Sequence, residues 1–74
     1  MKSEGTMSAI STTQCEQVLL SSSDLSKASL ATRILIGRLR NEVKGAPDSL
    51  GEKAAELAKF ASENDYAAND LANL

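Results

Sequence analysis

Histidine and tryptophan are absent from the 74 residues, and cysteine and proline each occur once, at Cys15 and Pro47. Phe60 and Tyr66 are the only aromatic side chains. Each shortage excludes a class of chemistry. Without histidine there is no Ser/His/Asp or Cys/His constellation to activate a nucleophile. One cysteine and no histidine cannot assemble a Cys/His zinc site within one chain. The glycines Gly5, Gly37, Gly45 and Gly51 lie too far apart to form a phosphate-cradling loop. No acidic, asparagine-rich loop has calcium-binding spacing. A pair of carboxylates doing acid/base work is what remains, and a chain this short has little interior for a substrate-sized cleft. The expectation is a protein that is not an enzyme, with no cofactor, no metal and no small-molecule substrate.

Strictly apolar runs stop at three residues, as at 18–20 and 34–36, so no membrane span is expected. The opening MKSEGTMSAI has no apolar stretch resembling a signal sequence. One cysteine rules out an internal disulfide, and together these features fit a reducing, cytoplasmic setting. Met7 is an alternative start. Residues 1–7 are polar and are expected to be a disordered tail; residues 8–74 are expected to form one helical domain.

What is present is alanine, leucine and charge in helical spacing. Eleven of the apolar residues are alanine. Net charge is −2, unevenly placed. Residues 21–45 carry Lys27, Arg33, Arg38, Arg40 and Lys44 against Asp24 and Glu42. Residues 46–74 carry Lys53 and Lys59 against Asp48, Glu52, Glu56, Glu63, Asp65 and Asp70. A basic segment followed by an acidic one suits two segments that fold against each other.

Around SAISTTQCEQVLL a short first helix is expected, capped by Thr13 with Glu16 or by Ser11 with Gln14, with Cys15, Val18 and Leu19 on one side. Cys15 reads as a small buried apolar residue, the rival being an exposed thiol able to pair between chains. The serines at 21–23 interrupt this helix. A second helix is expected over 24–44. Ser23 or Asp24 would cap its start, cations would occupy its last turns, Gly45 would be a left-handed C′ residue and Pro47 would act as a stop. Leu25, Ala28, Leu35, Ile36, Leu39 and Val43 share its core arc at ~100° per residue. Ser26, Ser29, Arg33, Gly37, Arg40 and Lys44 form a polar stripe. Beyond that stripe, Leu30 and Ile34 stand one turn apart. The simpler expectation is that they pack beneath the first helix; the other is that they form a second contact surface.

KGAPDSL is a tight connection of the kind that joins antiparallel helices. Ser49 and Glu52 suggest a capping box for a third helix over 49–72. In it Leu50, Ala54, Leu57, Ala61, Asn64, Ala68 and Leu71 alternate steps of four and three, a heptad seam. Its flanks are wide and apolar, which suits a bundle better than an isolated two-stranded coil. Asn64 is the polar rung. The expected course is a continuous helix with at most a mild kink, Asn64 then fixing register or oligomer state. The rival is a break, with Ser62 or Asn64 capping a short final helix.

The fold expected is therefore an all-α small helical bundle built on an antiparallel hairpin with a short N-terminal helix. The function expected is a protein–protein interaction module, a small regulator, adaptor or chaperone-like chain. It would pair with itself as a homodimer, bind a larger protein, or both. Its surfaces would be Leu57, Ala61, Asn64, Ala68 and Leu71, or the Leu30/Ile34 edge. The alternative is a nucleic-acid-binding regulator using Arg33, Arg40 and Lys44. That reading is weakened by a pI of about 4.9 and an acidic neighbouring helix.

Overall fold

A computed structural model of the chain describes residues 10–21 and 24–74. Among these residues four α-helices and no strand occur: α1 Thr12–Leu20, α2 Leu30–Gly45, α3 Leu50–Glu63 and α4 Asp65–Ala72. Turns of 3-10 helix at Leu25–Lys27 and Pro47–Ser49 lead into α2 and α3. The chain is an all-α helical bundle, as its spacing predicts. The expected tail at 1–7, the alternative start at Met7 and the possible cap at 23 lie outside the described residues.

Ser11 is the residue that opens α1: its Oγ accepts the Gln14 N–H at 3.1 Å. Cys15, Val18 and Leu19, at steps of three and one, then turn inward and are buried. Of the junctions between helices, α1 against α3 is the most extensive.

The second helix starts later than its apolar spacing suggests. Asp24 Oδ1 accepts the Ser26 N–H at 2.9 Å, so residues 25–27 close a 3-10 turn instead of an α-turn. Ala28 is extended, and Ser29 becomes the N-cap, its Oγ accepting the Thr32 N–H at 3.3 Å. Short polar side chains that bond their own backbone compete in this way with a helix interior. At the other end Gly45 is the last helical residue and is not left-handed. The stop falls at Ala46 (φ −147°, ψ 79°), whose N–H donates to the Glu42 and Val43 carbonyls. The expected Ser49 capping box does not form; Ser49 Oγ donates instead to the Ala46 carbonyl at 2.7 Å.

The third expected helix is two helices, which corrects the expectation of continuity. The break is at Asn64 (φ −131°, ψ 107°). Its backbone N–H donates to the Phe60 and Ala61 carbonyls, and its Nδ2 to the Phe60 carbonyl at 2.9 Å. Asn64 thus satisfies the end of α3 and makes no side-chain cap for α4. A straight continuation would carry eight more residues roughly 12 Å beyond the end of α3. The break instead returns Ala67, Ala68 and Leu71 to the core.

That core joins all four helices: Cys15, Val18 and Leu19 from α1, Ile36 and Leu39 from α2, Ala54, Leu57 and Ala61 from α3, and Ala67, Ala68 and Leu71 from α4. Ala28 and Val43 are also buried, while Leu25 and Leu35 are half-buried. The alanine rungs let neighbouring backbones come close, so a few leucines and one isoleucine fill the interior. Thr32 is the buried polar member of the α2 arc.

Candidate functional site

The best-defined surface is the outer face of α2, and three sets of contacts hold that helix. The first is at its N-terminus. Asp70 of α4 places Oδ2 at 2.8 Å from the Ser29 N–H and at 3.4 Å from Thr32 Oγ1, and the Ser29 and Thr32 hydroxyls are 2.9 Å apart. A carboxylate here meets the positive end of the helix dipole and an unpaired N–H. It also satisfies the hydroxyl of buried Thr32.

The second is Arg40, whose Nη2 donates to the Val18 carbonyl at 2.6 Å. That carbonyl belongs to the last turn of α1, where a cation is favoured. Arg40 Nε is buried without a hydrogen-bond partner. The third is a flank of ion pairs towards α3. Lys53 Nζ lies 2.8 Å from Glu42 Oε1, and Arg38 engages both Glu42 and Glu56. Residue numbers rise along α2 as they fall along α3 in these pairs, the sense of antiparallel neighbours. The Lys53 hydrogen bond holds the Glu42 carboxyl below its usual range, and the same bond raises Lys53.

What these contacts leave uncovered is a line of residues at steps of four and three: Leu30, Ile34, Gly37, Asn41 and Lys44, all exposed. Leu30 is 65% and Ile34 63% exposed. The expectation that they pack beneath the first helix is overturned. Helix α1 packs chiefly on α3, and Arg40 ties its end to a different side of α2. No Cβ added at Gly37 would meet an atom within 4 Å. Arg33, beside this line, and Lys44, at its end, are exposed and form no ion pair among the described residues.

The remaining expected site residues fall elsewhere. Leu57, Ala61, Ala68 and Leu71 are buried within this one chain, so in this fold they present no surface to a partner. Asn64 is exposed at the break between α3 and α4 and does not sit in a seam. Arg40 is committed to α1, which takes it out of the Arg33, Arg40 and Lys44 set. Gly37 and Asn41 were missing from the expected contact surface; their signal was the four-and-three spacing that continues from Leu30 and Ile34.

Cys15 is fully buried, and desolvation raises its thiol to about 11. Between the end of α1 and α2 an open groove of about 490 Å³ is lined by Leu19, Leu20, Ser21, Arg40, Val43 and Lys44. No carboxylate lines it. Among the described residues no group of three or more Cys, Asp or Glu side chains is arranged to hold a metal ion, and no helix is long and apolar enough to cross a membrane. No protein-family model, curated protein or solved structure matches the chain.

Proposed function

We propose that the chain is a non-enzymatic protein–protein interaction module that binds through the outer face of α2. The observation that supports this most is the contrast in exposure. Leu57 and Leu71 of the α3–α4 seam lie inside the chain, while Leu30 and Ile34 of α2 are exposed. Two large aliphatic side chains one turn apart are the anchors that a helix-in-groove contact uses. The helix that carries them is held at its N-terminus by Asp70, at its middle by Arg40 and along one flank by the ion pairs with α3, so little ordering is left to offset on binding. The likeness to small regulators and adaptors is one of format alone.

The rival reading, duplex nucleic acid bound through Arg33, Arg40 and Lys44, is weaker on two counts. Arg40 already serves α1, and the two cations that remain offer few phosphate contacts. A ridge of aliphatic side chains also gains nothing from a phosphate backbone.

The test is a photo-crosslinking residue in place of Ile34, with the same residue in place of exposed Ala55 on α3 as control. A discrete adduct from position 34 that is absent from position 55 and competed by unlabelled chain is expected. Equal labelling from both positions, or none from 34, contradicts the reading. Sedimentation over a wide dilution series identifies whether that adduct is a second copy of the chain.

A further inference from the structure

We infer that the outer face of α2 takes an acidic amphipathic helix of another protein; this rests on the interaction reading above and specifies its partner. The first argument is shape. Leu30, Ile34, Gly37 and Asn41 repeat the four-and-three step of a helix-packing seam, over roughly 16 Å of helix at ~1.5 Å per residue. Gly37 lies at its centre, between Ile34 and Asn41. With open space around the position of a Cβ there, another backbone can approach closely at that point. A helix laid along this line has aliphatic anchors at one end and amide and ammonium groups at the other.

The second argument is charge. Cations surround the ridge: Arg33 on one side, Arg38 on the other and Lys44 at its end. The one acid of α2, Glu42, is already engaged by Lys53 and Arg38. A docked helix therefore meets unanswered positive charge at Arg33 and Lys44, which favours glutamate and aspartate on its flanks and rejects lysine. The same charges argue against a second copy. A second copy brings the same Arg33 and Lys44 and no free carboxylate on its own ridge, since Glu42 is already engaged, so it offers these charges nothing to pair with.

The experiment uses the full chain, labelled with ¹⁵N, and two synthetic amphipathic helical peptides. Both carry leucine at the four-and-three positions; one has glutamate at the flanks and the other lysine. The glutamate peptide is expected to shift the amides of Ala31, Gly37 and Asn41. It should bind about tenfold more tightly than the lysine peptide at low salt, with the ratio shrinking as salt rises. Gly37→Gln keeps the helix and fills the approach, so it should abolish those shifts while the circular dichroism spectrum is unchanged. Ile34→Ser should do the same. Binding of the lysine peptide as tight as the glutamate peptide, on these same amides, would overturn the acidic partner and leave the interaction reading standing. Absence of binding by either peptide, or wild-type binding by Gly37→Gln, overturns the proposal as well. Tighter, salt-sensitive binding of duplex DNA to this face gives it to nucleic acid. Self-association lost in Ile34→Ser gives it to a second copy.

Discussion

Two lines of residues in this chain share one spacing and have opposite fates. On α3 and α4, Leu50, Ala54, Leu57, Ala61, Ala68 and Leu71 step by fours, threes and their sum. From Ala54 onwards they are buried. On α2, Leu30, Ile34, Gly37 and Asn41 step in the same way and are exposed throughout. Periodicity makes a face on a helix; whether a neighbour covers it depends on where the other helices are tied. Here α1 is tied to α3 by packing and to the C-terminal half of α2 by Arg40, and α4 is tied to the start of α2 by Asp70. Among the described residues no helix lies over Leu30 and Ile34.

The comparison is broken most severely by a charge in the buried line. Leu57→Asp places a carboxylate where Leu57 is wholly enclosed, and it should unfold the chain, seen as loss of helical circular dichroism at neutral pH. Retained helicity and native mass would mean that the line is not the core. Next in size is the tie that keeps α4 at the start of α2. Asp70→Ala leaves the Ser29 N–H without its acceptor and the Thr32 hydroxyl with Ser29 Oγ alone, and it should cost roughly 1–3 kcal/mol in urea unfolding. On the exposed line the sign reverses. Gly37→Ala should stabilise by roughly 0.5–1 kcal/mol, because the glycine is mid-helix and the added methyl meets nothing.

Smaller effects come from titration. The Glu42 carboxyl is depressed in the fold, so its contribution is present above its unfolded value and is lost as pH falls through the lower folded value. Lys53 is raised, so its contribution is present below 10.5 and is lost as pH rises through the higher folded value. The pair therefore helps at neutral pH and fails at both extremes. Because Glu42 is exposed and Lys53 is only half-buried, Glu42→Gln should only slightly flatten the acid limb of a stability–pH curve. Cys15 acts in alkali. Its thiol is raised from 9.0 to about 11, so the unfolded chain deprotonates first and stability falls across that interval. The native chain at pH 8 should resist a maleimide that labels the urea-unfolded chain rapidly.

Local rules made much of this legible. Steps of three and four marked Cys15, Val18 and Leu19 and the α2 arc, and Pro47 marked the turn into α3. Ser11 with Gln14 was one of two caps open for α1. What the sequence hid was the choice between rival local bonds. Asp24 and Ser29 delay α2 because each bonds the backbone nearest to it, and periodicity carries no trace of that competition. Asn64 in a leucine–alanine seam reads as a register device, the expected course, with a break as its rival. The break prevails because only a folded-back α4 brings Leu71 inside and Asp70 to the Ser29 N–H. Thr32 sat on the core arc, at the step from Ala28 to Ile36, but its hydroxyl has a partner 38 residues away that spacing cannot foretell. For the candidate site, Leu30 and Ile34 were visible as off-arc residues. Their exposure was not, since it depends on which side of α2 receives α1.

The most direct measurement is equilibrium urea unfolding of Leu57→Ala and Ile34→Ala beside the parent chain. One is a truncation in the buried line and the other a truncation in the exposed line. Leu57→Ala should lose roughly 2–5 kcal/mol and Ile34→Ala should stay within about 0.5 kcal/mol of the parent. Comparable losses from both would contradict the account, because Ile34 would then be covered in solution and the outer face of α2 would not be open to a partner.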